Sequence, residues 1–447
     1  MRIMAEERYV RKMERGISLR TFSATCCNAL ISQALSIPFM FTTAGWFSFI
    51  IQALAASLTF VCIQMLRATL RNEKVKQYAE ERGVPSFETG VHISGRILCR
   101  EFWQRRDNPC AIGLCAALIA PAISGKHLVV SSAAGSIALR LSQPVEGRMS
   151  TDVWIIIFSA ITLIMILVPW LREISAVMGV LAVVGILGSM AAWVGSAFVI
   201  LPDSHLIENL TAREPLLMNL VTAFSLATWT STNVPSLPPY LGAMRGSTDR
   251  RITLTVIICL TLSVVYVYII GLAGMQICDG VCKDFYPASL AGFPPTVLPP
   301  WLVYCMYAFM LLRMFAILPI VMVPLMVACE TVVGRILTSS RRTSKLSRLK
   351  GRRLAVRCLL LTVAALGAIL VKEELAYSQA IASVLLTSCL LYICPLWFYT
   401  YVMRPAGIKL WAVYVSGVLV AAFVVVGTYT SIMGIISGSP GAFTERL

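Results

Sequence analysis

Two stretches, Ser32-Gln33-Ala34-Leu35-Ser36-Ile37-Pro38 and Thr228-Trp229-Thr230-Ser231-Thr232-Asn233-Val234-Pro235, place polar side chains and a closing proline in the middle of apolar runs. A bilayer core offers no water to loose backbone groups, so a helix is interrupted there only where its carbonyls and amides line a cavity or grip a ligand. The two breaks fall in the first and sixth of eleven apolar stretches. Paired breaks five spans apart are the pattern of a transporter.

The eleven stretches run roughly over 26–43, 46–66, 111–139, 153–171, 174–201, 216–241, 252–277, 301–331, 354–371, 376–402 and 410–436. Each reaches, or falls just short of, the ~20 residues a helix needs to cross ~30 Å of hydrocarbon. Of the 447 residues, 57% are hydrophobic and 13% charged, and mean hydropathy is +0.78. These values exclude a soluble globular domain and define an all-α polytopic membrane protein. The twenty charge-rich residues before the first run are no cleavable signal, so that run itself directs insertion.

A net charge of +16 in a soluble protein would point to nucleic acid; here the informative quantity is where Lys and Arg sit relative to the spans. Six lie from Arg2 to Arg20, nine from Arg67 to Arg106, and nine from Arg335 to Arg357, with Arg245, Arg250 and Arg251 on the same side. The opposite loops hold only Arg140, Arg148, Arg213, Lys283, Lys372 and Arg446. The positive-inside bias therefore predicts a cytoplasmic N-terminus, and eleven crossings put the C-terminus outside. The lipid bilayer is the expected partner, and no nucleic acid is.

Outer loops carry two further marks. The triplet Asn209-Leu210-Thr211 is the candidate glycosylation site. Cys278 and Cys282 lie where an oxidising compartment allows a disulfide, although the plainer reading makes them small apolar side chains like most of the other twelve cysteines. No cysteine spacing matches the three histidines as a metal site, and no metal or cofactor is expected.

The stretch from Leu35 through Pro38 to Ala44-Gly45-Trp46 resembles the first-span signature of the amino acid/auxin permease family, in which a Leu-x-Leu-Pro-Tyr core leads to Ala-Gly-Trp. Ser231-Thr232-Asn233-Val234, followed by Met244-Arg245, is similar to the family's sixth-span pattern. The resemblance covers about residues 18 to 436 and implies a LeuT-type fold and amino acid transport. Ile31 and Gln33 stand where the family usually has the glycines of Gly-x-Gly, which let a backbone leave the helix and a substrate approach closely.

Five spans per repeat is an odd number, so spans one to five and six to ten enter the membrane in opposite directions and form an inverted repeat, with span eleven an addition. The expected organisation is a basic cytoplasmic tail (1–20), a transporter domain (21–436; repeat one about 21–201, repeat two about 216–402, extra helix about 410–436) and a short exoplasmic tail (437–447). In this scheme the broken spans cross near the midplane, where amides at a half-helix N-terminus bind a carboxylate. The expected substrate site is Ser32, Gln33, Ala34 and Ser36 against Thr228, Trp229, Ser231, Thr232 and Asn233. The blander alternative is that these hydroxyls bond carbonyls of their own helices.

Lys126 and Arg313 fall near the middle of spans three and eight, while all twenty-two Asp and Glu lie in loops or near span ends. Centring such a cation on a membrane helix costs about 3 kcal/mol even on the lenient scale. The two residues are the expected coupling or charge site, favouring substrates with a carboxylate and no net positive charge. LeuT-type carriers that use sodium hold it between the first-span break and hydroxyls of span eight, yet Arg313-Met314-Phe315-Ala316-Ile317-Leu318 before Pro319 offers no Ser or Thr. Hard cations need oxygen ligands. Sodium-independent transport is expected, with Arg313 supplying a fixed charge and Lys126 able to lose a proton.

The spans hold no carboxylate pair, histidine cluster or nucleophile beside a base, which excludes an enzyme. The leading expectation is a secondary active or facilitative transporter of amino acids, neutral ones favoured, working by alternating access with protons as the candidate coupling ion. The alternatives are a non-transporting amino acid sensor on the same scaffold and a cationic amino acid permease. The expected location is the plasma membrane or a vacuolar or lysosomal membrane.

Overall fold

The computed structural model describes residues 19–31, 36–73, 75, 130, 133–138, 140, 150–167, 171–200, 205–211, 217–230, 234, 237, 248–278, 282, 298–317, 346–370 and 380–437. Every regular element among them is helical. Among the described residues five helices are long and apolar enough to cross a membrane, and four shorter apolar helices accompany them.

Span one is two helices, α1 (Leu19–Leu30) and α2 (Ile37–Ala44). Pro38 falls in the first turn of α2, where its missing amide hydrogen removes no helical bond. Gly45 ends α2 at φ 55° with its amide bonded to the Phe41 carbonyl at 2.8 Å. A Cβ there would lie 2.7 Å from the carbonyl oxygen of Leu210, in the short helix Leu206–Thr211, so both the positive φ and this close approach require glycine. Span two is α3 (Phe47–Arg71), span four α4 (Thr151–Leu167) and span five α5 (Leu171–Ile200). Residues 133–138 of the third expected span are helical.

The short helix α6 (Leu206–Thr211) carries Asn209 and packs over the C-terminal end of α2. Span six begins as α7 (Leu217–Trp229) and stops at the polar run; span seven is α8 (Asp249–Ile277), span eight α9 (Pro300–Ile317) and span nine α10 (Leu346–Leu370). Span ten is wound as π-helix over Ala382–Thr387 and Cys389–Ile393 before continuing as α11 (Cys394–Met403). The eleventh expected span contains α12 (Ile408–Ser437). Cys278 and Cys282 form a disulfide, with Cα atoms 5.1 Å apart. This corrects their reading as plain apolar side chains: the chain turns at the end of α8 and folds Cys282 back, buried, beside Cys278.

The helices that matter for the site pack around α8, which contacts α1, α2, α3 and α5. Its N-terminal end is fixed by the buried Arg67 of α3, which reaches the Asp249 carboxylate at 2.5 Å and the Thr253 hydroxyl at 2.7 Å; Arg71 joins the same carboxylate. By contrast α12 shows Trp411, Tyr414, Val418, Leu419, Val425 and Tyr429 to the outside, the all-round apolar surface that suits a helix solvated by lipid.

Helices in lipid associate through close packing rather than hydrophobic exclusion, so small residues mark their interfaces. Gly185 and Gly188 of α5 lie against α9: a Cβ on Gly185 would stand 3.0 Å from both the Phe309 carbonyl oxygen and the Arg313 nitrogen, and one on Gly188 would enter the Phe309 ring. Gly179 makes the corresponding contact with Ala24 of α1. Gly185→Ala is expected to destabilise the protein by about 1–3 kcal/mol, the usual range for overpacking. Gly195→Ala, whose Cβ would meet only Leu302 at 3.9 Å, serves as the near-neutral comparison. Melting in detergent checks both, and equal melting temperatures for the two variants would contradict the packing.

Candidate functional site

The last carbonyls of a helix have no partner within it, and at the end of α1 other spans supply the partners. Arg313 of α9, buried, donates from Nη2 to the carbonyl oxygens of Asn28 and Ile31, each at 2.7 Å. Its Nη1 donates to the Asn28 side-chain oxygen. Ser263 of α8 donates to the Leu30 carbonyl at 2.7 Å. One guanidinium and one hydroxyl thus hold three carbonyls and an amide oxygen at the first break. The arrangement also suits the helix dipole, whose C-terminal end carries about half a negative charge.

Across the break, Ser36 starts α2 but makes no capping bond with its side chain; it is buried. The amides of Ile37 and Phe39 belong to the first turn, where no intrahelical acceptor exists. The N-terminus of α2 therefore carries partial positive charge.

The second break is built differently. At the end of α7 the Thr230 amide and hydroxyl both bond the Ala227 carbonyl, at 3.1 and 2.6 Å. Gln52 of α3 donates to the Thr230 hydroxyl at 3.3 Å. Thr228 and Trp229 are buried, and the Thr228 hydroxyl faces Tyr392 of span ten, which also lies against Thr59 of α3. Neither the Thr228 nor the Tyr392 hydroxyl reaches hydrogen-bonding geometry. The π-wound segment keeps close to α7 through Ser383, whose hydroxyl donates to the Ser225 carbonyl at 2.6 Å. Such windings recur at functional sites because they re-aim side chains.

Of the residues singled out in the sequence, Arg313 meets the first break, Ser36 opens α2, and Thr228 and Trp229 close α7; α2 packs directly on α7. Ser32, Gln33, Ala34, Ser231, Thr232, Asn233 and Lys126 lie outside the described residues. The sequence reading missed Asn28, Ser263, Gln52 and Tyr392. Asn28 and Gln52 carried a usable signal, because an amide side chain inside an apolar span marks a polar contact.

The chain matches the model of the family "Transmembrane amino acid transporter protein" over residues 15–438. It belongs to that family, whose members are transporters rather than enzymes. Among solved structures, a Na+-coupled sialic acid symporter in its substrate-bound outward-open state is similar at 14% identity, TM-score 0.54, covering 93% of this chain and 88% of that one. The nucleobase-cation-symport-1 family transporter Mhp1 is similar at 14% identity in a closed conformation, TM-score 0.53, with 94% and 91% covered. Its inward-facing form gives 13% identity and TM-score 0.54, with 94% and 89% covered. These likenesses establish the LeuT-type fold. No curated protein matches the chain by sequence alone.

The carbonyl clamp sets an order of stabilities. Ser263→Ala removes one neutral hydrogen bond and is expected to cost about 1 kcal/mol. Arg313→Met removes three charge-assisted bonds and leaves buried oxygens without donors, at an expected cost of about 3 kcal/mol or more. Melting temperatures of the two variants, measured side by side, check the order.

Proposed function

We propose that this membrane transporter carries amino acids, neutral ones preferred, by alternating access and without sodium. The observation that carries the ion reading is the guanidinium of Arg313 on the carbonyls of Asn28 and Ile31. A metal ion at the end of α1 would need those same oxygens as ligands, and a charge covalently attached to α9 already holds them. The substrate reading rests on family membership, on the dipole of α2 as a seat for a carboxylate, and on the polar runs from Ser32 to Ser36 and from Thr228 to Asn233. A fixed cation at this depth disfavours a cationic substrate side chain. Lys126, as a lysine inside an apolar span, is the group through which protons would couple. Eleven spans in a five-plus-five inverted repeat, with a cytoplasmic N-terminus and Asn209 outside, complete the proposal.

A second reading has one observation in its favour. Ile31, buried, and Gln33 stand in place of the glycines that open the first break in the resembling family, and side chains there narrow the approach to the backbone. A sensor that binds an amino acid without moving it needs less room than a carrier.

Uptake of labelled neutral amino acids into liposomes containing the purified protein separates the two readings. Replacing Ser231 or Thr232 by Leu is expected to abolish uptake while expression persists, since an aliphatic side chain cannot satisfy the break. Unchanged uptake kinetics in both variants would remove this stretch from the site. Complete replacement of sodium by choline is expected to leave uptake rates unchanged, and loss of uptake in choline would refute the ion assignment.

A further inference from the structure

Arg313 is buried at 3% exposure, and its three bonds all go to neutral oxygens. Among the described residues it forms no ion pair, and every Asp and Glu in the sequence lies in a loop or near a span end. The half charge at the end of α1 offsets only part of a full positive charge. An uncompensated buried ion is among the costliest features a protein carries.

Two donors at the same junction also lack acceptors. The Arg313 Nε and the Asn28 Nδ2 are both buried, and neither finds a hydrogen-bond partner among the described residues. The amide orientation is not free to change, because the Asn28 oxygen is the atom that takes the Arg313 Nη1 bond and a flipped amide would set donor against donor. Tyr266 of α8 is buried as well, with its hydroxyl 3.5 Å from the Ser189 hydroxyl. A water molecule would satisfy donors but leave the charge as it is. Only an anion answers both deficits.

We propose that the junction of α1 and α9 binds a small monovalent anion, held by the Arg313 guanidinium edge at Nε and by the Asn28 amide. Two sources share this chemistry: a dissolved halide, and the carboxylate of an amino acid reaching the first break. The assignment concerns binding: its carboxylate arm rests on the amino acid reading above, and its halide arm does not.

The test is melting of the purified protein in detergent at constant ionic strength, with chloride exchanged for the bulkier divalent sulfate, and separately with acetate, alanine or methylamine added. A melting temperature that rises saturably with chloride, and a rise that is lost in Asn28→Ala and in Arg313→Lys, establishes the halide as occupant. The second variant keeps the positive charge but replaces the guanidinium fork, its Nε edge included, by a single ammonium. A rise with acetate and alanine, absent with chloride and methylamine and lost in the same variants, establishes the carboxylate. Overturning results are no rise with any of these anions, or variants that respond as the wild type does. A protein that binds amino acids without moving them gives the same shifts, so failure here leaves the transport reading untouched, and failed uptake leaves this one untouched.

Discussion

Everything at the first break depends on one requirement: the carbonyls that end α1 must be bonded in a medium without water. In a LeuT-type carrier those oxygens are a natural seat for a bound cation. Here side chains of α9 and α8 bond them: Arg313 takes the carbonyls of Asn28 and Ile31, and Ser263 takes that of Leu30. The glycine faces of α5 belong to the same construction. Gly185 lies against the Arg313 backbone and Gly179 against Ala24 of α1, so α5 comes close enough to both to brace the helix bearing the guanidinium and the helix it holds.

The two breaks are not equivalent, and the difference is physical. The first exposes a carbonyl end opposite an amide end, two opposed dipole termini, and the protein neutralises the carbonyl end with charge. The second exposes the carbonyl end of α7, and there the remedy is local: Thr230 folds its hydroxyl and amide back onto Ala227, and Gln52 reaches over from α3. Charge is concentrated at one break and hydroxyls at the other. A zwitterion lying between them would meet an amide terminus at α2 and neutral oxygens at α7.

How much of this was legible in the sequence follows from the range of each interaction. The breaks were legible because polar residues cluster over six or seven positions in otherwise apolar runs. Arg313 was legible because a cation in mid-span normally faces a cavity or a partner, although snorkelling or a brace on span carbonyls reads the same in sequence. Its partners were not: Asn28 lies 285 residues from Arg313, and Leu30 lies 233 from Ser263, separations that no periodicity encodes. The pairing of Cys278 with Cys282 was also hidden, since a spacing of four fits a loop as well as a disulfide. The π winding of span ten left no trace, because Ala382 to Ile393 reads as an ordinary apolar helix. Ser388 shows the change of register only in three dimensions, donating to the Ser383 carbonyl five residues back at 3.3 Å.

A covalently attached cation changes what can drive α1 to move. In a carrier that uses an exchangeable ion, dissociation frees the carbonyls and the half-helix is released with it. Arg313 cannot leave, so any displacement of α1 from α9 must break the bonds to Asn28 and Ile31 together and return four polar groups to a dry interior. Such a contact is all or none, which gives the two-state character that switching requires. The release must then come from something that competes for the guanidinium or supplies acceptors as the carbonyls withdraw. If the proposed ion independence holds, charge on the ligand side is the lever that remains.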